Sequence, residues 1–141
     1  MKNEDLMRTS YIEDQPEFGL FFLRLTGSLI LFFVHGLPKL THFNTELVQI
    51  DDPLHLGRGL TLCLALFAEI ICPLLIATGI FTRLACMPII FLLLISMFVV
   101  HPEWTIAQGQ FGWLLLIIFT TIALSGPGAF SIDKRYKKYD Q

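Results

Sequence analysis

The sequence predicts an all-α fold, an up-down bundle of four transmembrane helices, and three observations carry that expectation. The chain is 54% hydrophobic and 16% charged, with a mean hydropathy of +0.64, too apolar for a soluble domain of 141 residues. Its charges gather at the two ends and leave four long apolar runs between them. Those runs do not alternate apolar with polar residues, so inside a bilayer their amides are satisfied within helices and not in a barrel.

The first run, Phe18–Leu37, follows an acidic, polar segment, residues 1–17, that has neither a basic start nor a small-residue cleavage site. A signal peptide is therefore not expected, and the first span should remain in the mature protein. The second run is Leu60–Phe81 and the third Leu84–Val100. The fourth is Phe111–Leu124, extended by a turn at its start. Residues 18–133 thus form the membrane domain, between the segment 1–17 and a basic tail, 134–141. Thr82-Arg83 reads as a tight hairpin between antiparallel neighbours, and HPEWTIAQGQ joins the third and fourth spans with Trp104 and Trp113 as interface anchors. The link Pro38–Gly59 carries DDP and GRG as helix breakers, and a connection of that length implies an ordered, functional segment or a lid.

Orientation follows from Lys and Arg. With the N-terminus inside, Lys2, Arg8, Arg83, Lys134, Arg135, Lys137 and Lys138 share one side, against Lys39 and Arg58 on the other. Both termini are accordingly expected in the cytoplasm, beneath a bacterial inner membrane. Net charge is -2, without a basic face for phosphates, so nucleic acid is excluded as a partner and the lipid bilayer is the first one implied. Cys63, Cys72 and Cys86 read as small buried hydrophobes. Cys63 and Cys72 lie about 13 Å apart along one helix, beyond disulfide reach, and no Cys or His spacing suggests a metal.

The informative residues are polar groups within the apolar runs. Arg24, Ser28, His35 and Lys39 fall along one stripe of the first span, since eleven residues bring a helical side chain round to within about 20°. An Arg facing lipid at mid-bilayer costs on the order of 3 kcal/mol or more, so the stripe must face protein or water. Glu69 sits in the middle of the second span, and Pro73 four residues later removes the donor to the Glu69 carbonyl and bends the helix. Depth along the axes favours an Arg24–Glu69 pair, with His35, Lys39 and His101 forming an outer vestibule. A contact to Glu69 from that outer side needs Lys39 to reach inward, or an intervening water. Such a pair could equally do no more than fix helix register. Snorkelling accounts as well for His35 and Lys39, a helix end for His101, and inside anchoring for Arg83. The Phe-rich faces, Phe21, Phe22, Phe32 and Phe33, read as lipid-facing and packing surface.

Four motifs have local roles in shape. Gly36 allows close approach at the end of the first span, and Pro38 turns the chain outward. Gly79 ends the second span. Gly126, Pro127 and Gly128 stop the fourth abruptly. With HGLPKL (His35–Leu40), Ala68-Glu69, GIFTRLA (Gly79–Ala85), GPGAFSID (Gly126–Asp133) and Arg24 ahead of Thr26-Gly27, the chain resembles the DoxX family of small four-helix bacterial membrane proteins over about Phe18–Asp133. The resemblance implies an inner-membrane subunit linked to oxidoreductase chemistry. Relatives are connected with thiosulfate:quinone oxidoreductase and with membrane complexes handling oxidative or thiol stress.

Three functions compete on this reading. The first is a membrane subunit of a quinone-linked oxidoreductase, with Glu69 and His35 as proton-handling catalytic residues and Arg24, Lys39 and His101 as ligand-binding ones. The chain carries no haem, flavin or iron–sulfur motif and binds nothing covalently, so a soluble or membrane redox partner would bring the electron carrier. The second is a small proton- or ion-coupled transporter, which would need a homodimer. The third is a non-catalytic scaffold or assembly factor.

Overall fold

Helix propagation is interrupted in the same way three times, and each time by a proline. Pro38, Pro73 and Pro102 lack an N–H, and each ring would collide with the carbonyl four residues earlier. The residue before each proline instead donates to the carbonyl five residues back. Leu37 bonds Phe32, Cys72 bonds Phe67, and His101 bonds Ser96. The results are the π-helical turns Phe32–Gly36, Phe67–Ile71 and Ser96–Val100.

A computed structural model describes residues 2–134, with side chains from residue 15 onward. It is helical, with no strand among the described residues. Helix α1 (Lys2–Leu31) passes through its π turn into α2 (Leu37–Thr41), and α3 (Phe43–Gln49) follows at once. The second span is α4 (Arg58–Leu66), its π turn and α5 (Cys72–Thr78). The third is α6 (Thr82–Ile95) with its π turn, and the fourth is α7 (Gln110–Ser125). Three continuous helices, Gln15–Thr41, Arg58–Thr78 and Thr82–Val100, are long and apolar enough to cross a membrane, and Gln110–Ser125 is a shorter apolar helix.

Neighbours along the chain pack antiparallel, α1 against α5, α5 against α6, α6 against α7, and α7 back against α1. Their inner faces meet in a core that includes Leu31, Cys72, Ile76, Cys86, Ile89, Phe119 and Ile122. Cys72 and Cys86 are buried there as free thiols, while Cys63 is exposed. Outer faces carry Phe22, Phe33, Leu84, Phe98 and Ile117, as lipid contact requires.

Two connections differ from expectation. Pro38 does not turn the chain outward. It occupies the first turn of α2, where a missing N–H is harmless, so the helix runs on to Thr41. The hairpin between the second and third spans is Gly79–Phe81, because Gly79 adopts a left-handed conformation (φ 79°) that closes α5, and Thr82 and Arg83 already belong to α6. Of the basic tail, only Lys134 is among the described residues; Arg135, Lys137 and Lys138 lie outside them.

The segment after the fourth span folds back under this hairpin end. Arg24, wholly buried, donates from one terminal nitrogen to the Pro127 carbonyl and from the other to the Phe130 carbonyl at 2.6 Å. The Asp133 N–H bonds the Gly79 carbonyl at 3.1 Å, and the Ala129 N–H bonds the Glu17 carboxylate. Arg83 donates to the Leu124 carbonyl at 3.2 Å. A Cβ on Gly79 would lie 2.7 Å from Arg24, and one on Gly126 would lie 3.0 Å from Arg83. The glycine motifs and both arginines thus make one latch.

At the opposite end, the first two π turns touch. A Cβ built on Gly36 would strike the Glu69 carbonyl, the group that Pro73 leaves without a helical donor. Gly36→Ala is therefore expected to destabilise the protein by about 1–3 kcal/mol, the usual range for overpacking. A fall in the thermal midpoint in detergent would register it. Gly19→Ala, where a Cβ meets nothing within 4 Å, should leave that midpoint unchanged.

Candidate functional site

The end of the first span brings His35 and Lys39 onto one helical face, four residues apart. Glu69 comes to them from the second span. The Lys39 ammonium contacts both Glu69 oxygens at 2.6 Å, and the Glu69 residue is only 2% exposed. The expected Arg24–Glu69 pair is not formed. Side chains on a helix lean toward its N-terminus, and the two spans run in opposite directions. Glu69 therefore leans toward the Lys39 end and Lys39 leans inward to meet it, whereas Arg24 leans away. About 22 Å of helix separates Arg24 from Lys39, which places Arg24 in the latch and outside this site.

The pair stands in the wall of a cavity of about 640 Å³. His35 and His101 also line it, so His35, Lys39, Glu69 and His101 border one space. Most of its surface is apolar, including Leu31, Leu64, Phe67, Phe91, Leu92 and Leu115. His35 stacks on Phe111 with ring centres 5.3 Å apart, and its Nε2 is buried without a hydrogen-bond partner. His101 ends the third π turn, stacks on Trp104 at 3.8 Å, and has Glu103 3.8 Å from its Nδ1. Among the described residues, no group of three or more His, Cys, Asp or Glu side chains is arranged to hold a metal ion.

The connection between the first two spans closes the cavity from outside the bundle. Glu46, Gln49, Ile50 and Leu54, which the sequence reading did not single out, add to its lining together with Asp51 of the DDP breaker. Asp52 clasps this strap. One carboxylate oxygen accepts from Thr61 Oγ1 at 2.7 Å and from the Leu56 N–H at 3.1 Å, and the other accepts from the Gly57 N–H at 2.8 Å. Arg58 reinforces it with a 2.7 Å bond to the Val48 carbonyl. The turn at Asp52-Pro53 was legible from its breakers; the clasp onto Thr61, nine residues on, carried no local signal.

The sequence profile of the DoxX family matches residues 19–102, which include nearly all of the first three spans, the whole strap, and His35, Lys39, Glu69 and His101. An inner membrane protein of Escherichia coli K12, YphA, is 28% identical over 119 residues, covering 76% of this chain and 83% of that relative. No solved structure matches the chain.

Two outcomes follow from the geometry. Glu69→Ala, which leaves the half-buried Lys39 ammonium without its partner, should destabilise the fold by about 1–3 kcal/mol. Lys39→Met with Glu69→Met should recover most of that loss, and a double-mutant cycle measures the coupling. The bond from Thr61, with those from Gly57 and Leu56, holds the Asp52 carboxyl below its ordinary range. The strap is then fully clasped above the unfolded value of about 3.9 and loosens as pH falls through the lower folded one. Hydrogen exchange at Leu56 and Gly57 should rise across that acid window, and Asp52→Ala should raise it at neutral pH as well.

Proposed function

Because this chain belongs to the DoxX family of membrane proteins, we propose that it is the membrane subunit of a quinone-linked oxidoreductase system, with the cavity as its quinone site. The observation that carries this reading is the unpartnered, buried Nε2 of His35 in the wall of a largely apolar cavity. A volume of about 640 Å³ lies within the range of roughly 300–1,000 Å³ typical of small-molecule sites. An aromatic ring with two carbonyl oxygens fits such lining, since Leu31, Phe67 and Phe91 offer apolar contact and the polar groups are few.

A bound quinone supplies two-electron, two-proton redox chemistry. The chain's own residues would hold the ring and manage the protons. His35 Nε2 hydrogen-bonds one ring oxygen, as donor or acceptor according to its tautomer. Lys39 has three N–H donors and spends two on Glu69, which leaves one for a ligand oxygen. Glu69, already bonded to that ammonium, is the base or acid for the proton that follows the electrons. Electrons enter from a redox partner. The Lys and Arg distribution, together with an inner-membrane relative, supports cytoplasmic termini and a site toward the far face of the membrane.

Titration of the purified chain in nanodiscs with decylubiquinone, followed by tryptophan fluorescence, tests this reading. Saturable quenching is expected, and His35→Leu should weaken binding about tenfold, the equivalent of one buried hydrogen bond of about 1.4 kcal/mol. Unsaturable quenching, or wild-type affinity in both His35→Leu and Glu69→Gln, would remove the quinone site.

A further inference from the structure

The cavity's polar and apolar groups are not mixed at random. Its polar lining comes from the end of the first span, the strap, Thr61 and Glu69 of the second span, and Ser96 and His101 at the end of the third, and the rest is apolar. Three of its apolar residues also face outward from the bundle, Leu64 at 49% exposure, Phe67 at 45% and Phe91 at 58%. Leu64 and Phe67 belong to the second span and Phe91 to the third.

Those two spans are antiparallel, so depth can be compared directly. Phe67 is nine residues from Arg58, and Phe91 nine from Val100, which puts both about 14 Å below the same end of the bundle. That is close to the middle of a hydrocarbon core about 30 Å thick. The cavity therefore reaches the outer surface between the second and third spans at the level of the lipid chains. On the other side, the strap with its Asp52 clasp lies between cavity and water.

We infer that the site takes an amphiphile from the bilayer, with its polar head against Lys39, Glu69 and His35 and its hydrocarbon tail leaving sideways between Phe67 and Phe91. The head-group chemistry rests on the quinone reading above; the sideways opening does not. Substrate class follows from the opening. A long apolar tail is a requirement for binding, because a tail-free analogue leaves Leu92 and Leu115 unfilled and has only the strap side for entry.

The test uses the full chain in nanodiscs containing a phospholipid with a photoreactive diazirine in its acyl chain, with labelled residues mapped by mass spectrometry. Labelling is expected at Leu93 and Leu115, which are buried yet line the cavity, as well as at outward-facing Ile117. Leu64→Trp with Phe91→Trp should cut the interior labelling several-fold and leave Ile117 unchanged. Labelling confined to outward-facing residues such as Phe98 and Ile117 would overturn the sideways opening, even if decylubiquinone still quenches fluorescence saturably. Excess decylubiquinone should suppress the interior labelling. Interior labelling that persists unchanged under that competition would remove the quinone head and leave the opening standing.

Discussion

An ammonium and a carboxylate cannot be taken out of water separately, and the upper half of this bundle is arranged around that constraint. Lys39 and Glu69 meet at 2.6 Å with Glu69 almost wholly buried. The Glu69 carboxylate alone at that depth would carry a desolvation penalty of several kcal/mol, and Lys39, half-buried, supplies its counter-charge. Their contact fixes how far the first span reaches, how the second is rotated, and where the cavity wall runs. Gly36 is part of the same arrangement, since only a residue without a side chain lets the first span close on the Glu69 carbonyl.

The prolines make the contact geometrically available. Each π turn inserts one extra residue relative to a straight α-helix, rotating everything beyond it by about 100°. The turn before Pro73 contains Glu69, the one before Pro38 contains His35, and the one before Pro102 ends beside His101. Three ionisable residues of the cavity wall thus sit where the helical repeat is broken. In those turns backbone carbonyls are also freed from their usual partners, which adds polar surface to a region otherwise made of hydrocarbon.

Much of this was legible beforehand. Four apolar runs predicted four helices, and Pro73 predicted the break beside Glu69. His35, Lys39 and His101, expected around one outer vestibule, all line the cavity. The partner of Glu69 was missed because depth alone was compared. The lean of helical side chains toward their N-termini, with antiparallel spans, already favours Lys39 over Arg24. Pro38 was read as an exit from the helix although a proline in a first turn continues it. The carbonyl partners of Arg24 lie more than a hundred residues away in a segment without regular structure, and no periodicity reports such a contact. The glycines at 79, 126 and 128 were recognisable as turn formers, but not as the seat of an arginine.

That latch has a consequence for biogenesis. The guanidinium at position 24 belongs to the first span, and the carbonyls that accept from it lie 103 and 106 residues further along the chain, beyond the fourth span. Until those residues have been made, the first span carries a cation without these partners. Closure of the bundle thus waits on Pro127 and Phe130, so that a product truncated before them would expose an unsatisfied arginine for membrane quality control to recognise.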